Sequence, residues 1–287
     1  MEPVSRLGVV GCGLMGSGIA EVAALHGLEV IVAESNPDQA AAGRDRITAS
    51  LERGLRHGKL TAADRDQALA RLSFTDDLSE LADRQIVIEA VAESREVKSE
   101  VFRRLDKVVV SPDAILATNT SSIPIVDLAV ATGRASHVVG LHFFNPVPVQ
   151  KLVEVIPALT TSADTLARIR DFTARQLGKT VVQAPDRSGF VVNALLVPYL
   201  LAAVRMLESG TARAEDIDSG MELGCAHPMG PLRLLDLIGL DTAQAVAESM
   251  YEEFKEPLYA APPLLRRMVA AGRLGRKSGH GFYSYGA

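Results

Sequence analysis

Along the first two thirds of the chain, short runs of β-branched and other apolar residues alternate with longer stretches whose apolar positions recur at helical spacing. The short runs are Leu7 to Val10, Val30 to Val32, Ile86 to Ile88, Ile115 to Ala117 and Val138 to Leu141, and the amphipathic stretches include Met15 to His26 and Glu96 to Val110. Such alternation predicts βαβ units and a mostly parallel sheet, because parallel neighbours need a long crossover between them. Two further strands are predicted over Lys151 to Ile156 and Thr180 to Gln183, separated by a helix from Ala163 to Leu177 that stops at Gly178. After Pro185 the strand signal ceases. Gly189 to Glu208, Arg213 to Leu223, Leu232 to Glu253 and Pro263 to Ala271 read as helices punctuated by glycine and proline. The expected architecture is α/β: a mostly parallel sheet domain over residues 1–185, then an all-α domain over residues 186–287.

A chain of 287 residues has room for those two domains. A formal net charge of −5 gives the chain no overall attraction to nucleic acid or an anionic membrane, so neither is expected as a partner. The longest uncharged run, Ser188 to Val204, is interrupted by Asn193, Pro198 and Tyr199 and reads as a buried core helix rather than a membrane span. Met1 to Arg6 is too short and polar for a signal peptide. Of the two cysteines, Cys12 lies in a glycine-rich turn and Cys225 far from it, which points to a reducing cytoplasm. No metal site is expected.

That turn, Gly11-Cys12-Gly13-Leu14-Met15-Gly16, matches G-x-G-x-x-G directly after the first strand and at the opening of the first helix. Gly11 suits the tight turn, Gly13 lets a pyrophosphate approach the backbone, and Gly16 lets helix and sheet pack closely. The helix N-terminus, with Leu14 and Met15, faces the phosphates. The first domain is thus expected to be a Rossmann-type dinucleotide-binding domain. Glu34 ends the second strand, where a carboxylate accepts hydrogen bonds from the adenosine ribose and repels a 2′-phosphate. Ser35, Asn36 and Pro37 supply no arginine to offset it, so NAD is expected rather than NADP.

Of six histidines, His142 alone closes an apolar strand run, at the carboxyl end of the sheet where open α/β folds build their crevice. The proline-rich segment Phe143 to Pro148 should turn the chain back into Lys151 to Ile156, which contains Glu154 between Val153 and Val155. A carboxylate in an apolar strand demands a partner, and His142 is at hand. Glu154 on one ring nitrogen would leave the other as a general base; the alternative is an edge strand with Glu154 in water. Ser121 either meets substrate or caps the following helix, and Asn193 either meets substrate or satisfies buried backbone.

Together with Ile88-Glu89-Ala90-Val91, Asn119-Thr120-Ser121-Ser122, Ser188 to Asn193, His227-Pro228-Met229-Gly230-Pro231 and Lys277 to Tyr283, these motifs make the chain resemble the L-3-hydroxyacyl-CoA dehydrogenases over nearly its full length. The resemblance is greatest to the bacterial 3-hydroxybutyryl-CoA dehydrogenases. It implies hydride transfer between C3 of a 3-hydroxyacyl thioester and NAD. His142 takes the hydroxyl proton, Glu154 orients it, and Ser121 and Asn193 hold substrate oxygens. It further implies that Glu93, Lys98, Asn145 and Lys277 surround the nicotinamide and its ribose, and that the C-terminal helices form a homodimer interface and close over the crevice, which would gate turnover. Ser50, Arg53 and His57 fall in the segment that contacts CoA phosphates, where relatives commonly carry lysines at Arg56 and His57; a solvated charged helix is the alternative. Competing readings are a same-fold dehydrogenase of a free hydroxy acid or carrier-bound acyl group, a catalytic-lysine hydroxyacid dehydrogenase, and an NAD-binding protein without turnover.

Overall fold

The computed structural model describes residues 3–286. Contacts divide the chain into two compact units, the first ending at Asp186 and the second beginning at Arg187. In the first, strands β1 (Arg6–Val10), β2 (Glu29–Ala33), β3 (Leu72–Thr75), β4 (Ile86–Glu89), β5 (Ile115–Thr118), β6 (Val138–Phe143), β7 (Leu152–Pro157) and β8 (Thr180–Gln183) form one sheet ordered β3-β2-β1-β4-β5-β6-β7-β8. β1 to β6 are parallel; β7 runs antiparallel to β6, and β8 is parallel to β7. The order reverses between β1 and β4, the place where doubly wound sheets open a ligand crevice.

Helices α1 (Leu14–Leu25), α2 (Pro37–Arg56), α3 (Ala62–Ala70), α4 (Arg95–Val108), α5 (Ile125–Ala129) and α6 (Ala163–Asp171) link the strands. Leu7, Val9, Val30, Val32, Ile86 and Ile88 are sealed from water in one cluster with Ile19, Ala20 and Ala23 of α1. Each valine, leucine or isoleucine so buried contributes about 1.5–3 kcal/mol. Asn36 caps α2 by accepting from Gln39 N, with Pro37 at the first helical position. Thr61 and Asp64 form a capping box on α3.

The second unit is helical: α7 (Val192–Glu208), α8 (Ala214–Gly224), α9 (Pro231–Ile238), α10 (Leu240–Phe254) and α11 (Pro263–Ala270), around Leu200, Leu201, Leu232, Leu235, Leu240 and Met250. Two sealed carboxylates fasten it. Asp218 accepts from Leu232 N and the Tyr283 hydroxyl, and Asp236 accepts from Phe282 N and Tyr283 N, tying the C-terminal strap to α9.

Several expected boundaries move for physical reasons. The single helix expected over Leu232 to Glu253 is two, split at Gly239, whose φ of 100° lies outside the helical region. The helix expected from Gly189 begins at Val192, since Gly189 and Phe190 both have positive φ. The one expected over Ala163 to Leu177 is α-helical to Asp171 and continues as a π turn through Gln176. Among the described residues, no helix is long and apolar enough to cross a membrane.

Candidate active site

The glycine loop follows β1. Gly11 has φ +89°, and a Cβ there would come within 2.8 Å of the Ala90 carbonyl; a Cβ on Gly16 would collide with the Gly11 carbonyl. A Cβ on Gly13 would meet no protein atom within 4 Å, so packing does not explain that glycine, whereas a ligand lying on the backbone would. No side chain caps α1, which leaves its first-turn N–H groups available to an anion; Leu14 is exposed and Met15 half-buried there. A cleft of about 580 Å³ lies alongside, lined by Gly11, Gly13, Glu34, Ala90, Val97 and Arg104. Glu34 accepts from Cys12 N and, at 3.0 Å, from Ser35 N. Two arginines escaped the sequence reading: Arg104 on α4 lines the cleft, and Arg46 on α2 donates to the Cys12 carbonyl. Both are distant in sequence from Glu34.

At the other side of the sheet reversal, β6 and β7 pair with His142 directly opposite Glu154. Cross-strand partners share a face, so the two side chains meet: Nδ1 lies 2.8 Å from Glu154 Oε2. Their side chains are 6% and 0% exposed, and β8 covers the far edge of β7, which rules out an edge strand with Glu154 in water. An ionised carboxylate only accepts, so Nδ1 carries the proton of the neutral ring and Nε2 accepts from Ser121 Oγ at 3.0 Å. Ser121 caps nothing: the free N–H groups of α5, on Ile125 and Val126, are taken by the Asp186 carboxylate at 2.7 and 2.9 Å.

The Ser121 loop is held from below by Glu93, whose carboxylate accepts from Thr120 Oγ1, from Ser121 N at 3.1 Å and from Ser122 Oγ at 2.9 Å. Burial alone would raise the pKa of Glu93, but the Lys98 ammonium and those donors outweigh it and hold the carboxyl below its ordinary value. Lys98, 1% exposed, sits 3.3 Å from Glu93 and 2.7 Å from Glu89, to which the sequence motif Ile88 to Val91 gave no role of its own. Its only signal was a carboxylate ending an otherwise apolar strand, the same signal that marked Glu154. Asn145 stands exposed beyond β6, in a loop stapled by Lys179 Nζ donating to the carbonyls of Val147 and Gln150 at 2.7 and 2.8 Å.

Ser50, Arg53 and His57 occupy the C-terminal part of α2 and its cap, Arg53 and His57 being exposed. Ser50 hydrogen-bonds the buried Glu21 of α1, whose pKa burial raises against the lowering effects of Ser50 and Arg53. Asn193 lies in the first turn of α7, and Lys277 Nζ is 2.6 Å from Asp241, both in the second unit. Among the described residues no group of histidine, cysteine or acidic side chains is arranged to hold a metal.

Residues 6–187 match the model of the 3-hydroxyacyl-CoA dehydrogenase NAD-binding domain, and residues 189–285 match that of the 3-hydroxyacyl-CoA dehydrogenase C-terminal domain. The chain belongs to the 3-hydroxyacyl-CoA dehydrogenase family. Within that family it is 58% identical to a 3-hydroxybutyryl-CoA dehydrogenase of Mycobacterium tuberculosis over 284 residues, 99% of each chain. It is 43% identical to the human mitochondrial hydroxyacyl-coenzyme A dehydrogenase, covering 98% of this chain and 91% of that one. The crystal structure of (S)-3-hydroxybutyryl-CoA dehydrogenase from Ralstonia eutropha superposes with a TM-score of 0.94 at 44% identity, covering 99% of this chain and all of that one. Family membership makes the chain an NAD-dependent dehydrogenase, and the open backbone at Gly13 beside Glu34 fits that cofactor.

Proposed function

We propose that the chain interconverts (S)-3-hydroxyacyl-CoA and 3-ketoacyl-CoA through the relay Ser121–His142–Glu154, with short acyl groups such as 3-hydroxybutyryl as substrates. The relay itself carries the reading: one imidazole bridges a sealed carboxylate at 2.8 Å and a hydroxyl at 3.0 Å. In oxidation the substrate hydroxyl gives its proton to His142 Nε2 as the C3 hydrogen leaves as hydride. NAD, when bound, supplies the hydride acceptor. Positive charge then develops on the ring beside Glu154, where a pre-placed carboxylate stabilises it without reorganisation. Ser121 orients the reacting oxygen. The glycine loop and Glu34 hold the dinucleotide, with Glu93, Lys98 and Asn145 nearer the reacting end. Asn193 and Lys277 enter this reading through the family correspondence alone.

Ser50, Arg53 and His57 are assigned to the CoA phosphates, supported by exposed positive charge at the end of α2. A homodimer through the helical unit is supported by Leu195 and Met206, 75% and 45% exposed on α7, and would be tested by sedimentation velocity. Two free cysteines accord with a cytoplasmic location.

The deciding experiment follows NADH absorbance with acetoacetyl-CoA, its longer homologues, the free acid and a carrier-bound thioester. Turnover confined to CoA thioesters and abolished by His142→Ala supports the reading; preference for free acid or carrier thioester overturns the substrate, and a fully active His142→Ala overturns the base. Since oxidation needs neutral His142 and reduction the protonated ring, the two directions should show opposite pH trends.

A further inference from the structure

Beneath the Ser121 loop the protein has sealed more charge than the proton relay uses. Glu89 ends β4 with no exposed surface, and its carboxylate takes three donors: Oε1 accepts from Lys98 Nζ at 2.7 Å and Val91 N at 2.7 Å, and Oε2 accepts from Thr118 Oγ1 at 2.7 Å. Burying such a group is costly unless it is paired and hydrogen-bonded, and a buried ammonium standing between two carboxylates is pulled by both. Lys98 leans to Glu89 at 2.7 Å and only reaches Glu93 at 3.3 Å. Glu93 is thereby left to the loop, where it gathers Thr120, Ser121 N and Ser122.

We propose that Glu89 is a positioning residue for proton transfer: by holding Lys98 back, it keeps the Glu93 carboxylate on the Ser121 loop and so fixes the Ser121 hydroxyl against His142. The connection is contiguous, from Glu89 through Lys98 and Glu93 to Ser121 N, then Ser121 Oγ to His142 Nε2 at 3.0 Å. Without the charge on Glu89, Lys98 has one carboxylate left to neutralise and closes on Glu93. Lys98 faces Glu93 Oε2 while the three loop donors sit on Oε1, so closure turns the carboxylate toward α4 and draws Oε1 off Ser121 N, and the serine loses the backbone anchor that sets its height over the imidazole. The inference rests on Ser121 and His142 being the site of proton transfer.

The test is a double-mutant cycle on the full-length protein with two readouts, NADH affinity by fluorescence titration and kcat for acetoacetyl-CoA reduction. Glu89→Gln is expected to lower kcat at saturating NADH about tenfold or more, coupling of that size being usual within one buried network; the titration sets the saturating concentration, since Glu93 and Lys98 are also assigned to the dinucleotide. In a Ser121→Ala background the same substitution should cost almost nothing further, because the anchored hydroxyl is already gone. Equal cost in both backgrounds overturns the inference. A Ser121→Ala protein with wild-type kcat would instead overturn the underlying reading of the site. If Glu89→Gln does not fold, Glu89→Asp keeps the charge and withdraws it from Lys98 by one methylene. It should show the same background-dependent loss at about threefold, and an additive loss overturns the inference equally.

Discussion

Replacing Glu154 by glutamine removes one negative charge and changes almost nothing else in shape. The glutamine carbonyl can still accept from Nδ1–H, so the neutral ring is held much as before; what is lost is the partner of the imidazolium that forms as the substrate hydroxyl is deprotonated. Glu154 is wholly buried and 2.8 Å from the ring, so screening by solvent is weak. At an effective dielectric of about 20, opposite charges about 4 Å apart are worth about 4 kcal/mol. Hydrogen bonds to charged groups contribute about 1.5–3 kcal/mol against roughly 1 for neutral ones. These are overlapping views of one interaction, and a loss of about 3–4 kcal/mol corresponds to a fall in kcat of about 10² to 10³. Steady-state NAD reduction with (S)-3-hydroxybutyryl-CoA measures it, and fluorescence titration of NADH supplies the control, expected to move less than about threefold since Glu154 does not line the cofactor cleft. A kcat within about tenfold of wild type, or an equal fall in NADH affinity, would refute the electrostatic account.

Glu34→Ala should narrow the preference for NAD over NADP by admitting the 2′-phosphate, with Arg46 and Arg104 already nearby; an unchanged ratio of kcat/KM values would remove Glu34 from that role. Burial raises Glu21 above the ordinary carboxyl value of 4.5, so folding favours its protonated form and the ionised form costs stability. Glu21→Gln should therefore raise Tm at pH above the folded-state pKa, with the gain fading as pH falls to about 4, below the unfolded-state value. A gain that persists unchanged at low pH would contradict the assignment. Burial, then the neighbouring Glu34 charge, push the Cys12 thiol up to about 12 against the lowering effect of Arg46, whereas Cys225 is exposed. A maleimide near neutral pH should modify Cys225 alone in the folded protein and both cysteines in denaturant, as read by mass spectrometry.

Much of this was legible in the chain because the informative features are local. A glycine triplet between a strand and a helix, and an acid in the middle of an apolar run, announce themselves within a few residues; the antiparallel return that joins His142 to Glu154 followed from the prolines between them. β3 was not legible: Leu-Ser-Phe-Thr is four residues long with two apolar positions, too short for a period, and is a strand because β2 offers it a partner. α3 carried its Thr61 and Asp64 signature openly and was missed. The division of the long C-terminal helix turned on one glycine, tolerated in many helices and decisive here through its positive φ. Glu89, quoted in a motif without a role, and Arg46 and Arg104 stayed unread for another reason: their meaning lies in partners from other elements, and β5 contributes Thr118 to Glu89 across 29 positions of sequence.

Helix α2 has an unusual posting. It starts three residues past Glu34, rests its Gly43 on Cys12 of the glycine loop, and ends with the basic side chains proposed for the thioester's nucleotide tail. A rod of 20 residues is about 30 Å long, so under the proposed CoA contact one strut would serve as the gauge between two nucleotides, the redox one and the handle of the substrate. A single methyl at position 43, 2.5 Å from the Cys12 sulfur, would act as a shim under that strut and disturb the fit of both together.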